Sequence, residues 1–359
     1  MYDVIVAGAG PAGCVAAKRC AEKGLRTLLI ERRRLPRDKV CSGMIVGRLA
    51  KAMVEEGFSE LPRDIVLETL PGLTLWVPEA GQSTIRTSVA ITWRRDLDFW
   101  MAKEALEKGV EVWDRSVVKG LASDGSRCSV VVEKQGATQE LAARFVIGAD
   151  GINSTIREFL FPELPATYTV AYRECYAGSL NLEQKTGHVV FPSGDYRPNF
   201  WILPKGDCFT LEGGLRVLRK EIGRILTPCG FQGGRPLWKD GCLSRVQLAG
   251  HPLPDAETSA RGNVLFTGDS ARLKIPVSGE GIGTALRSGI LAADSIVESL
   301  ASGRQVSDLY SKGLRPLLAS LYSFSLDLEQ IKTGARKGPQ SLLDELMVAF
   351  EKTIEATGF

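Results

Sequence analysis

The chain opens on Tyr2–Ala7 (YDVIVA), a strand pattern, followed by Gly8, Gly10 and Gly13 in the spacing G-x-G-x-x-G and then by an alanine-rich segment to about Lys23 that reads as a helix. Few local sequences restrict a fold so tightly. Gly8 permits the tight turn, Gly10 lets the main chain approach a pyrophosphate, and Gly13 lets helix and strand pack closely, while the helix N-terminus faces phosphate charge. Ala12, in the first turn, belongs to the same cradle. A second strand, Arg26 to Ile30, ends on Glu31, where a carboxylate can take both hydroxyls of an adenosine ribose. Strand, turn, helix, strand and acid in this order predict a dinucleotide-binding unit of α/β type.

Other function classes lack material. The net charge of +3 is dispersed over 359 residues, so no basic stripe argues for nucleic acid. The densest basic run, ERRR at 31–34, reads as a solvated strand end where Arg32 also meets cofactor phosphate or adenine. Eight cysteines form no C-x-x-C pair, and His188 and His251 are the two histidines, so no metal site is expected. A hydrolytic triad is equally short of parts, and His251, just before Pro252, reads as structural. Neither a signal peptide nor an apolar run near the roughly 18 residues needed to cross a bilayer is seen, which makes the cytoplasm the expected location.

Two further glycine turns follow strand patterns. RFVIGADGINSTIR (144–157) carries an Asp-Gly turn at Asp150 and Gly151, with Asn153 or Ser154 as cap of the next helix. In GNVLFTGDSARLKIPVSGEGIGTAL (262–286) the strand Val264–Thr267 runs to Asp269, and Ile282, Ala285, Leu286 and Ile290 mark a helix face. Asp269 therefore sits at a strand's carboxyl end, where ligands of open α/β sheets bind. The three elements together resemble the flavoprotein group that includes para-hydroxybenzoate hydroxylase. That resemblance implies FAD as cofactor, with Asp269 on its ribityl chain and the amides of Gly281 and Ile282 near the flavin pyrimidine, where a helix N-terminus stabilises the negative charge of reduced flavin. WRRDLDFWMAKEA (93–105) resembles the group's R-x-x-x-D helix start, which implies Arg94 against the cofactor and Asp98 in support; the alternative is ordinary i,i+4 pairing. Val118 would contact adenine through its backbone.

Within that group, RDKVCSGMI (37–45) is similar to the K-x-C-G-G stretch of the geranylgeranyl reductase family, with Ser42 in place of the first glycine. NFWILPKGDCFTLEGGL (199–215) is similar to that family's Y-x-W-x-F-P signature; Trp201 and Pro204 match, Asn199 and Leu203 depart. The chain resembles a compact bacterial-type branch. The resemblance implies that Cys41, Ser42 and Gly43 lie beside the flavin and that Met44 and Trp201 wall a substrate cavity, unless they are plain core. Cys41 and Trp201 are the catalytic candidates: Cys41 either donates a proton or packs on the flavin.

The implied architecture is a Rossmann-like FAD-binding domain assembled from residues 1–70, 93–165 and 250–300, an antiparallel substrate sheet from 71–92 and 166–249, and a helical segment over 301–359. The helices read as core or interface, with peripheral membrane contact the alternative. The function implied is an FAD-dependent oxidoreductase that reduces carbon–carbon double bonds of an apolar, prenyl-like or conjugated substrate by hydride transfer from flavin N5. A monooxygenase hydroxylating an aromatic ring is the same-fold alternative, and a non-catalytic flavin redox sensor the alternative of another class. NAD(P)H, ferredoxin and quinol all stand open as electron donor, and the oligomeric state is open too.

Overall fold

The computed structural model describes residues 1–163, 168–182, 185–192, 199–245 and 255–356. His251 lies outside them. The first half of the chain runs β1 (Tyr2–Ala7), α1 (Pro11–Glu22), β2 (Thr27–Ile30), β3 (Met44–Val46), α2 (Gly47–Gly57), β4 (Val66–Val77), β5 (Gly81–Thr92), α3 (Arg94–Glu107), β6 (Glu111–Trp113), β7 (Ser116–Ser123), β8 (Cys128–Lys134), β9 (Ala137–Gly148) and α4 (Thr155–Leu160). There follow β10 (Tyr168–Ala177), β11 (Gly187–Val190), β12 (Phe200–Pro204), β13 (Cys208–Gly214), α5 (Leu215–Leu226), β14 (Trp238–Arg245), β15 (Ala260–Arg261), β16 (Val264–Phe266), α6 (Ile282–Ser302), α7 (Val306–Lys337) and α8 (Pro339–Glu355).

Two eight-stranded sheets carry the fold. The first has the order β15-β16-β9-β1-β2-β6, with β8 hydrogen-bonded to β9 and β7 to β8. Pairs β1–β2, β1–β9, β9–β16 and β2–β6 are all parallel. A parallel sheet must be covered on its faces, and its strands accordingly read as continuous apolar runs rather than alternating ones: Val4, Ile5, Val6, Leu28, Leu29, Val146, Ile147, Leu265 and Phe266 are fully buried. Strands more than one hundred residues apart in sequence thus end side by side, and their carboxyl ends deliver Gly8, Glu31, Ala149 and Thr267 to one edge.

The second sheet runs β14-β10-β13-β12-β11-β4-β5-β3. It is antiparallel except where β11 lies parallel to β4, so the expected antiparallel layer has one internal exception. Met44–Val46 and the start of β4, which the sequence reading grouped with the cofactor layer, pair here instead. Their alternation of side chains suits a sheet with one face on a cavity and the other on a core. On one side α5 contributes Leu218, Ile222, Ile225 and Leu226 to a cluster with Phe200, Ile202 and Leu211. Elsewhere α7 and α8 contribute Leu328, Ile331, Leu342, Leu346 and Phe350 to a cluster with Leu73, Leu75, Val189 and Leu203. Thus α8 and the end of α7 are packed on the second sheet, while the first half of α7 contributes Val306, Tyr310, Leu314, Leu317, Leu321 and Phe324 to the core of the first. Among the described residues no helix is long and apolar enough to cross a membrane.

Candidate functional site

A cavity of about 2100 Å³ is lined by residues of both sheets. Ligand pockets usually measure roughly 300–1,000 Å³. This one therefore has room for a dinucleotide and a second molecule. Gly8, Gly10, Ala12, Glu31, Arg32, Val118, Arg94, Cys41, Ser42, Asp269, Gly281, Ile282, Met44 and Trp201 all line it. Two residues of the sequence-predicted set do not: Gly13 and Gly43.

Gly13 acts behind the wall. A Cβ there would stand 1.9 Å from the Gly8 carbonyl oxygen, so a side chain would push α1 off β1 and open the turn that the cavity rests on. Gly43 has φ +66°, and a Cβ would meet the Thr92 carbonyl oxygen at 2.2 Å. The Thr92 amide and hydroxyl both donate to the Gly43 carbonyl, at 3.0 and 2.7 Å. The glycine thus ties the Cys41 loop to the end of β5.

At the first glycine turn the main chain is bare and cationic groups converge. Arg37 Nη2 and Arg94 Nη2 lie 3.9 and 4.0 Å from the point where a Gly10 Cβ would be. Arg37 pairs with Glu31 at 2.8 Å and with Asp98 at 2.9 Å, and donates to the Ala9 carbonyl at 3.0 Å. Arg94 grips Asp98 with Nε and Nη2, at 2.7 and 2.9 Å. The i,i+4 pairing on α3 is real, yet it is one limb of a buried four-member network. Charges this far from water hold only when paired on several sides. Two arginines, each held by carboxylates, thus stand beside a helix N-terminus, a setting that favours anions. Glu31 also accepts the Ala9 and Arg33 amides, at 3.2 and 3.0 Å.

At the other strand ends, Thr267 caps a short 3-10 turn, Gly268–Ala271, through a reciprocal pair with Ser270. That turn carries Asp269, whose Oδ1 lies 3.7 Å from the site of a Gly281 Cβ. α6 then approaches α1 so closely that a Cβ on Gly289 would meet the Ala12 carbonyl oxygen at 2.4 Å. Glu280 lies on the cavity wall at the start of α6 and accepts the Gly283 amide at 2.6 Å, with the Ile282 amide bearing on it as well. Burial pushes its carboxyl up to about 7, and Oε2 is buried with no hydrogen-bond partner. Asp150, on the same wall, is pushed by burial up to about 6; Oδ2 accepts the Ile156 amide at 3.3 Å and Oδ1 is buried without a partner. Ser154, not Asn153, caps α4, accepting the Arg157 amide at 3.0 Å.

The two orphaned carboxylate oxygens, the bare glycine turn and the paired guanidinium groups fit the hydroxyls and phosphates of a flavin dinucleotide. Residues 1–188 match the family described as FAD binding domain. This defines the class: an FAD-dependent oxidoreductase. The chain is 30% identical over 312 residues to digeranylgeranylglycerophospholipid reductase 1 of Methanopyrus kandleri, covering 83% of this chain and 81% of the relative. It belongs to the geranylgeranyl reductase family. The fold is shared with a geranylgeranyl bacteriochlorophyll reductase-like protein of Thermoplasma acidophilum, at TM-score 0.73 and 20% identity over 97% of this chain and 95% of that one. It is also shared with the p-nitrophenol 4-monooxygenase of Pseudomonas putida, at TM-score 0.74 and 15% identity over 99% of each.

Around Cys41 stand groups that reading the sequence alone did not single out. Lys205, at the end of β12, donates to the carbonyls of Ser42 and of Thr92, the latter at 2.8 Å, and its ammonium lies 4.6 Å over the Trp93 ring. Burial brings it down to about 8. Arg173 holds Asp240 at 2.7 and 2.8 Å and donates to the Cys41 carbonyl at 3.0 Å. Local signals for these were weak: Lys205 and Glu212 sit inside the second signature stretch, but nothing in their spacing says which face they share. Beyond Trp201 the cavity becomes apolar, walled by Leu73, Phe191, Leu346, Phe350 and Ile354. The Trp201 and Phe350 rings stand 6.3 Å apart.

Proposed function

We propose that the enzyme reduces carbon–carbon double bonds of a prenyl-like lipid held in the apolar arm of this cavity. The observation that carries the reading is continuity: one cavity is lined both by the glycine turn at Gly10 and by the apolar wall that Trp201 and Phe350 form, so an apolar chain and the cofactor share one space. The name of the Methanopyrus relative, a reductase of a digeranylgeranyl lipid, supports it.

In this reading Gly8, Gly10, Ala12, Arg37 and Arg94 hold the pyrophosphate, Glu31, Arg32 and Val118 the adenosine, and Asp269 and Asp150 the hydroxyls between. Gly281 and Ile282 offer the N-terminus of α6 to the flavin ring, with Cys41 and Ser42 against it. Bound in reduced form, FAD supplies hydride at N5. The protein's own tasks are orientation and exclusion of water. Trp201, Met44 and Phe350 give an alkene a dry wall to lie against, while the loop from Arg37 to Gly43, tied by Thr92 and Lys205, fixes the polar end of the chamber.

The test is to reduce the holoenzyme chemically without oxygen and offer prenyl alcohols, prenyl lipids, quinones and conjugated alkenes. Products heavier by two hydrogens are expected. Hydroxylated aromatic products formed only with oxygen, and no alkene reduced, would replace the reading with the monooxygenase. A flavin that turns over nothing would replace it with a redox sensor.

A further inference from the structure

A row of cross-strand neighbours crosses the second sheet. Asp240 of β14 stands opposite Arg173 of β10, Arg173 opposite Glu212 of β13, and Glu212 opposite Trp201 of β12. Directly opposed residues present their side chains on one face. All four line the cavity. The row passes from an ion pair to an aromatic wall, and Glu212 is the carboxyl at the changeover.

Both cations near Glu212 are committed elsewhere. Arg173 is engaged with Asp240 and the Cys41 carbonyl, and Lys205 with two loop carbonyls. Among the described residues the hydrogen bond made to the Glu212 carboxyl comes from the Thr210 hydroxyl, at 3.0 Å, and no ion pair reaches it. Burial raises this carboxyl above the usual range, Asp240 adds to the shift, and Lys205 and Arg173 oppose it. Cys41 stands near the same two cations, with Arg94 against its thiol.

We propose that Glu212 is the acid of the cavity, supplying the proton that alkene reduction adds to the carbon not taking hydride. The inference rests on the reductase reading. The alkene loses one π bond and gains two C–H bonds. One is made with the hydride pair from reduced FAD, which is left oxidised; the other with the Glu212 proton, whose O–H electron pair stays on the carboxylate. Solvent at the cavity mouth restores the proton. A carboxyl raised above its ordinary value keeps its proton to higher pH, so the reaction slows only as pH rises through the raised value.

The experiment compares wild type, Glu212→Gln and Glu212→Asp as reduced holoenzymes mixed anaerobically with geranylgeraniol in detergent micelles. Glu212→Gln keeps the shape and hydrogen bonding but has no acidic proton. It is expected to hold FAD as wild type does, to slow flavin reoxidation by about 10²–10³-fold, and to lose the decline at high pH. Glu212→Asp should recover part of the rate and that decline. Infrared spectra of the oxidised holoenzyme should show a protonated-carboxyl band that titrates above the ordinary value of about 4.3 and is missing in Glu212→Gln. Glu212→Gln at the wild-type rate with its pH decline intact would overturn the proposal. So would a band titrating in the ordinary range, or loss of the decline in Cys41→Ala while Glu212→Gln keeps it. Wild type inert toward geranylgeraniol and toward every other alkene of the panel would sink the reductase reading itself, and the infrared titration would then decide on its own whether Glu212 holds a proton.

Discussion

Arg37 and Arg94 close on the same carboxylate: Asp98 Oδ2 accepts Arg37 Nη1 and Arg94 Nη2, each at 2.9 Å, while Oδ1 accepts Arg94 Nε at 2.7 Å. Asp98 is fully buried. It joins α3 to the loop after β2 and keeps two guanidinium groups over the first glycine turn. Asp98→Ala would leave both without their common partner, a change that costs about 3–5 kcal/mol when one member of a buried pair is removed. Urea unfolding of the apoprotein should show a loss of that size. A variant as stable as wild type would mean that the arginines re-pair without it.

Arg37 reaches the same turn from a segment whose interest in the sequence lay in Cys41. Its placement near Gly10 predicts a contact with phosphate rather than with the flavin ring. Arg37→Gln should weaken FAD binding by about ten- to a hundredfold, the worth of a charge-assisted hydrogen bond of about 1.5–3 kcal/mol. Riboflavin, which has no phosphate, should bind both proteins alike in a fluorescence titration. Equal losses for the two flavins would remove Arg37 from the phosphates.

Asp269 is the most exposed of the sequence-derived assignments to a simple test. With its carboxylate beside Gly281 and open to the cavity, it is an acceptor for hydroxyls of a bound dinucleotide. Asp269→Ala should cost about 1–3 kcal/mol of FAD affinity, because hydroxyls buried without their acceptor are expensive. The flavin-to-protein ratio after gel filtration would report it, and full retention would refute the assignment.

The parts of the site that could be read from sequence are those where the main chain itself is the constraint. Gly8 and Gly13 leave a mark because no other residue fits 2.3 and 1.9 Å from a carbonyl oxygen, and Asp269 because strand, turn and helix follow each other within one short stretch. The groups that escaped are held by register across a sheet or by long loops. Arg173 meets Asp240 at a separation of 67 residues, and Lys205 meets Ser42 at 163. No local period encodes such partners. The apolar faces of α7 and α8 were legible as faces, but only the fold decides that Phe350 turns toward Trp201 and closes the cavity.

Glu280 gives the apoprotein a pH dependence whose sign is opposite to that of a salt-bridged carboxylate. Its carboxyl titrates at about 7 in the fold against 4.5 for an ordinary glutamate, so between those values the native chain binds more protons than the unfolded one. Stability therefore falls as pH rises through this window, and is unaffected by Glu280 below it. Asp150, raised from 3.8 to about 6, acts in the same direction at lower pH. Glu280→Gln keeps the acceptor for the Gly283 amide without the charge. Its melting temperature should therefore exceed that of wild type near neutral pH, with the gap closing toward pH 4.5. A gap independent of pH would show that the gain comes from packing.

Phe350 is where the fold sets the shape of the substrate. It is buried, its ring packs against Phe191 and Trp201 from the opposite wall, and both the second sheet and α8 hold it in place. Phe350→Ala would open the end of the apolar arm at a folding cost of about 3–5 kcal/mol, whereas Phe350→Leu keeps most of the volume and a smaller part of the cost. In the reductase reading the polar end of the cavity is untouched by either change, so FAD content should hold while selectivity moves. Competing prenyl alcohols of increasing chain length, assayed together under anaerobic reduction, should shift toward the longer chains in Phe350→Leu relative to wild type. An unaltered length preference, with FAD still bound, would show that the chain does not reach α8 and that the double bond is held nearer Met44.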